Sequence, residues 1–201
     1  MKILGLTGPS GAGKTLFSFF LCAKGCPCIN ADELYHSMLV PPSHMLDAIR
    51  REFGDSFFNE DGELDRKALG KLVFTDKKSL DKLNATVLPI VIEKMREIAK
   101  YYEKNGAKLL IIDAPTLFEA GYDKSCDVTV SILAPASVRI ERISERDEIS
   151  IDDAILRTNA QKDDSFYYER SDRIILNDSN EDALREKANA LLLELLSEDT
   201  L

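Results

Sequence analysis

Apolar residues along this chain follow two rhythms. Five short runs are almost continuous: Lys2-Ile3-Leu4-Gly5-Leu6-Thr7, Cys26-Pro27-Cys28-Ile29-Asn30, Lys108-Leu109-Leu110-Ile111-Ile112-Asp113, Asp127-Val128-Thr129-Val130-Ser131-Ile132-Leu133 and Arg173-Ile174-Ile175-Leu176-Asn177. Runs this short, apolar on both faces, predict strands buried in a parallel sheet. Between them the apolar positions recur at helical spacing. A helix over Leu16–Leu21 closes at Ala23–Gly25, and a short one follows Asp32. Pro41-Pro42-Ser43 opens a helix that stops at Gly54, Asp61-Gly62 marks a turn, and another helix begins at Leu64. Leu80, Leu83, Val87, Val91, Met95, Ile98 and Tyr102 then trace a long helix, and Pro89 inside it predicts a kink or a division in two. Pro135 and Ser150 start two more. Ser179-Asn180-Glu181-Asp182 reads as a capping box for the last helix, whose buried stripe is Leu184, Ala188, Leu191, Leu192 and Leu195.

Strands alternating with helices imply an α/β fold with a five-stranded parallel sheet. No strand pattern interrupts residues 41–104, so this stretch is expected to be a helical insertion that holds a second substrate. The length of 201 residues suits one folding unit with such insertions. A formal net charge of −9 argues against non-specific nucleic-acid binding, which requires a basic surface. The N-terminal apolar run is not preceded by a charged leader and no run approaches membrane-spanning length, so the cytoplasm is the expected location. Cys22, Cys26, Cys28 and Cys126, with only His36 and His44 beside them, lack zinc or redox spacing. They are expected to be small buried thiols.

The stretch Gly8-Pro9-Ser10-Gly11-Ala12-Gly13-Lys14-Thr15 lies between the first strand and the first helix. It fits the phosphate-binding pattern G-x-x-x-x-G-K-[ST] at every fixed position. Glycines let the backbone curl so that amides from Gly8, Ser10, Gly11, Ala12, Gly13 and on to Leu16 can face phosphate oxygens at a helix N-terminus. Lys14 would reach the β- and γ-phosphates, and Thr15 would offer its hydroxyl to Mg²⁺. A mere turn needs none of these fixed residues, and the stretch reads as a nucleoside-triphosphate site. Asp113 ends the clearest strand, where a metal-organising acid of nucleotide enzymes sits; the competing reading is a carboxylate capping the next turn. Asp32 follows the second strand, at the sheet edge where open α/β folds bind ligands. By position it is equally a helix cap or a base for an attacking hydroxyl. Arg139, Arg142 and Arg146 share a helix face with Glu141 and Glu145 nearby. They form either a solvated salt-bridged surface or part of a segment that closes over the triphosphate.

In order, Leu6-Thr7-Gly8 through Thr15, Asn30-Ala31-Asp32, Phe53-Gly54, Asp61-Gly62-Glu63-Leu64-Asp65-Arg66, Val73-Phe74, Pro115-Thr116-Leu117-Phe118-Glu119, Arg142 to Asp147, Arg157-Thr158-Asn159-Ala160-Gln161 and Arg170 through Asn177 resemble the dephospho-coenzyme A kinase family over nearly the full length. The resemblance implies a P-loop NTPase-type kinase core over 1–30, 108–138 and 168–201, a helical coenzyme-binding domain over 31–107 and a lid over 139–167. It implies ATP and Mg²⁺, and transfer of phosphate to the ribose 3′-hydroxyl of dephospho-coenzyme A. Asp32 falls on the family's general base, Arg142 and Arg146 on its lid arginines, and Asn177 on its nucleotide side. The expected partner is thus a small molecule, with no nucleic acid and no membrane, for a monomer or weak homo-oligomer. Three positions depart from the family pattern: Asn30 stands for a first aspartate, His36 for an arginine and Leu88 for the histidine of a His-Pro pair. All three lie toward the coenzyme side. Rival readings are a kinase of another nucleoside, nucleotide or sugar, an ATP-binding paralogue with an altered acceptor, or a nucleotide-dependent switch. Against a GTPase, no Asn-Lys-x-Asp segment is present and Asp113 is followed by Ala-Pro-Thr.

Overall fold

The structure is a computed structural model that describes residues 1–197. The chain divides into two compact units, Met1–Ile29 together with the chain from Tyr102 onward, and Asn30–Tyr101.

In chain order the elements are β1 (Lys2–Thr7), α1 (Lys14–Cys22), β2 (Cys28–Asn30), α2 (Ala31–Ser37), α3 (His44–Phe53), α4 (Arg66–Thr75), α5 (Lys77–Lys104), β3 (Leu109–Asp113), β4 (Val128–Leu133), α6 (Ala136–Asp147), α7 (Ile151–Asn159), α8 (Asp164–Tyr168), β5 (Arg173–Leu176) and α9 (Glu181–Ser197). The five strands form one parallel sheet in the order β2-β3-β1-β4-β5. In register, Leu4 lies beside Ile111 and Val128, Leu6 beside Asp113 and Val130, and Leu133 beside Leu176. All of β3 and the last four residues of β1 are buried, which accounts for their unbroken apolar sequence. This order puts β1 between β3 and β4. The loop after β1 and the acid ending β3 therefore emerge from neighbouring strands.

α1 and α9 cover the sheet and share its core. Phe17, Phe20 and Leu21 of α1 pack with Leu184, Ala188, Leu191, Leu192 and Leu195 of α9 and with Leu4, Leu6, Leu109, Ile111, Val130 and Ile132 of the strands. Burying a large side chain such as Phe17 completely stabilises a fold by about 1.5–3 kcal/mol. The cap of α9 is Asn180, whose Oδ1 accepts from the Ala183 amide at 3.0 Å, one residue later than the expected box. α8 is an addition to the expected elements. Five residues are too few to show a period, and only the Asp163 cap on the Phe166 amide announces it.

The second unit is helical. Met45, Leu46, Ala48 and Ile49 of α3, Leu69 and Val73 of α4, and Val87, Val91 and Met95 of α5 are buried. Ser43 caps α3 and Asp65 caps α4 through the amides at their second and third positions. α5 runs for 28 residues with Pro89 inside it. The expected division in two does not occur: the missing N–H forfeits one backbone bond, and apolar positions on either side of the proline keep a common buried stripe.

Candidate active site

The loop between β1 and α1 is built by backbone geometry that a side chain would block. Gly13 has φ +96°, and a Cβ there would meet Asn177 Nδ2 at 2.3 Å. At Gly8, φ +144°, a Cβ would fall 2.2 Å from the Ile132 carbonyl oxygen. Glycine at both positions lets β4 and the residue after β5 press directly on the loop. Asn177, 5% exposed, donates from Nδ2 to the Ala12 carbonyl at 2.8 Å and fixes the loop from beneath. α1 begins at Lys14 with no side-chain cap, so its first-turn amides are left to an external acceptor. The sharp glycine bend, the uncapped helix start and a lysine at its first position fit an anionic phosphate chain.

Lys14 and Asp113 form an ion pair, with Asp113 almost wholly buried at the end of β3. Asp113 thus faces the loop lysine, and among the described residues its carboxylate accepts from no turn amide. Thr15 is exposed beside it in sequence. No group of three or more His, Cys, Asp or Glu that could hold a metal occurs among the described residues. A Mg²⁺ bound through nucleotide phosphates needs only one or two protein oxygens, and the Thr15 hydroxyl and Asp113 carboxylate are the oxygens available for it.

The helical segment after β4 meets the loop through its arginines. Arg142 Nη1 donates to the Gly11 carbonyl at 3.1 Å, and Arg146 Nη2 to Ser10 Oγ at 3.1 Å. Neither pairs with Glu141 or Glu145 among the described residues. Arg146 instead makes two bonds to Asp147, at 2.7 and 3.0 Å, and Arg157 reaches the same carboxylate at 2.6 Å. These guanidinium donors, Arg146 first, hold the Asp147 carboxyl below the usual carboxylate range. Arg139 is buried, and among the described residues its one ionic partner is Asp164 at 3.8 Å. Sequence reasoning did not single out Asp147 or Gln161 for roles of their own. Gln161 Oε1 accepts from the Ser10 amide at 2.7 Å. The two are 151 positions apart, and nothing local along the chain signals that meeting.

Asp32 belongs to the second unit. Asn30 caps α2 there: its Oδ1 accepts from the Asp32 and Glu33 amides, and its Nδ2 donates to Glu33 Oε1 at 3.3 Å. Asp32 is therefore not the cap. Its carboxylate is exposed and has no hydrogen-bond or ionic partner among the described residues. Asn30, which departs from the family pattern, thus has a structural use. His36, another departure, has Arg66 Nη1 at 3.3 Å from its Nδ1. A guanidinium can only donate, so that nitrogen accepts and the ring proton sits on Nε2.

The four cysteines are free and half-buried. Burial is the main cause pushing the Cys28 and Cys126 thiols up to about 12, so they are neutral thiols near pH 7. Among the described residues no helix is long and apolar enough to cross a membrane.

Comparison with known proteins agrees with this geometry. A family model described as dephospho-CoA kinase matches residues 2–183. The dephospho-CoA kinase of Anaeromyxobacter dehalogenans is 36% identical over 195 residues, 97% of this chain and 92% of the relative. That of Saccharomyces cerevisiae is 36% identical over 184 residues, 89% of this chain and 76% of the relative. Among solved structures, dephospho-CoA kinase from Campylobacter jejuni superposes with a TM-score of 0.71 at 26% identity, covering 99% of this chain and all of that one. The matched stretch holds the glycine loop, Asp32, Asp113 and the arginines of α6, and the chain belongs to the dephospho-CoA kinase family.

Proposed function

We propose that the protein transfers the terminal phosphoryl group of ATP to the ribose 3′-hydroxyl of dephospho-coenzyme A, releasing ADP and coenzyme A. The observation that carries this reading is the convergence of Lys14, Asp113, Arg142, Arg146 and Asn177 on one glycine loop, in a chain of this family. Backbone amides from Ser10 to Leu16 and the Lys14 ammonium bind and orient the phosphates. Thr15 and Asp113 would hold Mg²⁺, directly or through its water. The metal there would supply positive charge that offsets the charge of the phosphates. Lys14 then exchanges its Asp113 partner for phosphate.

Arg142 and Arg146 bring positive charge to the transferring group from the 139–167 segment, which acts as the lid. Asp32 accepts the proton of the attacking hydroxyl or aligns it. What supports that role is its carboxylate, which the Asn30 cap leaves uncommitted at the start of α2. The helical residues 31–107 hold the coenzyme. The use of ATP and the unpaired cysteines support a cytoplasmic enzyme, working as a monomer or weak homo-oligomer.

A coupled assay of ADP release tests the reading. Release is expected only when dephospho-coenzyme A is added, with the product carrying phosphate on the 3′-oxygen. Turnover with other nucleosides, nucleotides or sugars, and none with dephospho-coenzyme A, would overturn it.

A further inference from the structure

Five polar contacts close a ring around Ser10. Its amide donates to Gln161 Oε1 at 2.7 Å, and Gln161 Nε2 donates to the Arg157 carbonyl at 3.1 Å. Arg157 Nη1 donates to Asp147 at 2.6 Å, Asp147 accepts from Arg146 Nε at 2.7 Å, and Arg146 Nη2 returns to Ser10 Oγ at 3.1 Å. The bond to Arg157 settles the orientation of the Gln161 amide: its NH₂ group is spent within its own segment, so its carbonyl oxygen faces the loop. That oxygen occupies the direction in which the Ser10 N–H would otherwise address an anion.

We infer that Gln161 is a positioning residue that competes with a nucleotide phosphate oxygen for the Ser10 amide. When the phosphate takes that N–H, the Gln161 carbonyl is displaced while Asp147 still ties Arg146 to Arg157. The Gln161 end of the segment is thus released from the Ser10 amide, with Arg142 still on the Gly11 carbonyl and without losing the arginine pair that stays with the phosphates. Gln161 sets how tightly ATP binds and not how fast phosphate moves. The inference rests on reading the glycine loop as an ATP site, and on no assumption about the acceptor.

The test is calorimetric titration with Mg–ATP in the absence of acceptor, on the full chain. Gln161→Met keeps the side-chain length and removes the competing oxygen. It is expected to bind ATP about two- to tenfold more tightly, the worth of one net hydrogen bond. Gln161→Glu replaces a neutral acceptor by a charged one, which holds the amide more strongly and repels phosphate; about tenfold weaker binding or more is expected. With saturating ATP the turnover number of the Met variant should stay within about twofold of the parent. Unchanged or weaker ATP binding in Gln161→Met overturns the inference, because Gln161 would then be a bystander or a nucleotide ligand. Should that variant not fold, unchanged or tighter binding in Gln161→Glu overturns it equally. Absence of ATP binding to the parent protein would refute the ATP site itself, a different result from equal affinities in parent and variants.

Discussion

The two compact units treat their candidate functional groups in opposite ways. In the first, five side chains around the glycine loop are held by partners: Lys14 with Asp113, Arg142 with the Gly11 carbonyl, Arg146 with Ser10 and Asp147, Asn177 with the Ala12 carbonyl. In the second, the Asp32 carboxylate stands exposed and without a partner among the described residues, and Asn30 caps α2 in its place. A phosphate chain carries several negative charges, and the groups that bind it are best held in place beforehand, since preorganised dipoles cost no reorganisation during reaction. A base is different. A carboxylate already tied to a cation or to several amides would be too weakly basic to take a proton, so leaving it uncommitted preserves its reactivity.

The sharpest way to break this contrast is Asp32→Asn. Turnover should fall by about 10²- to 10⁴-fold while ATP affinity and thermal stability stay as in the parent. Near-normal turnover would remove Asp32 from the chemistry. Next in size, Arg146→Ala should lower turnover by about 10²- to 10³-fold, the usual effect of deleting one donor to developing charge. Its solvent-screened ion pair with Asp147 adds little to stability, so the urea midpoint should scarcely move. A collapse of stability with turnover intact would reverse the assignment.

On the loop itself the two effects should not separate. Asn177→Ala strands the buried Ala12 carbonyl and should cost about 1–3 kcal/mol in urea unfolding, together with weaker ATP binding. A loss of stability alone would mean that the tether is structural only.

The smallest expected effect lies between β4 and the start of β5. Thr129 donates to Asp172 from its hydroxyl at 2.7 Å and its amide at 2.8 Å, and these bonds lower the Asp172 pKa, the hydroxyl most. A carboxylate depressed in the folded state stabilises above its unfolded pKa, and that stability is lost as pH falls through the folded value. Thr129→Val should therefore unfold more easily than the parent at pH 7, and the gap should close below about pH 4. A gap independent of pH would point to packing as its cause.

Much of this was legible along the chain because its signals are local. Strands β1, β3 and β4 show themselves as unbroken apolar runs, since a strand covered on both faces has no solvent side on which to place polar residues. The glycine loop is eight consecutive residues whose fixed positions form one local pattern. Short or interrupted elements were less readable. α8 has no period to detect, and Pro89 suggested a division that α5 avoids because its buried stripe runs past the proline.

What sequence by itself determined is therefore the sheet, the loop that follows its first strand and the chemical class of ligand that such a loop takes. Only tertiary structure decided which residues meet around it. Asn30 and not Asp32 caps α2, and Arg142 and Arg146 turn to the loop and away from their helical neighbours Glu141 and Glu145. Asp147 binds two arginines, and Gln161 reaches Ser10 across 151 positions. The reason is physical. Periodicity and glycine geometry depend on neighbours along the chain, whereas a hydrogen bond between distant side chains depends on where the sheet order places their elements, and no local pattern records that.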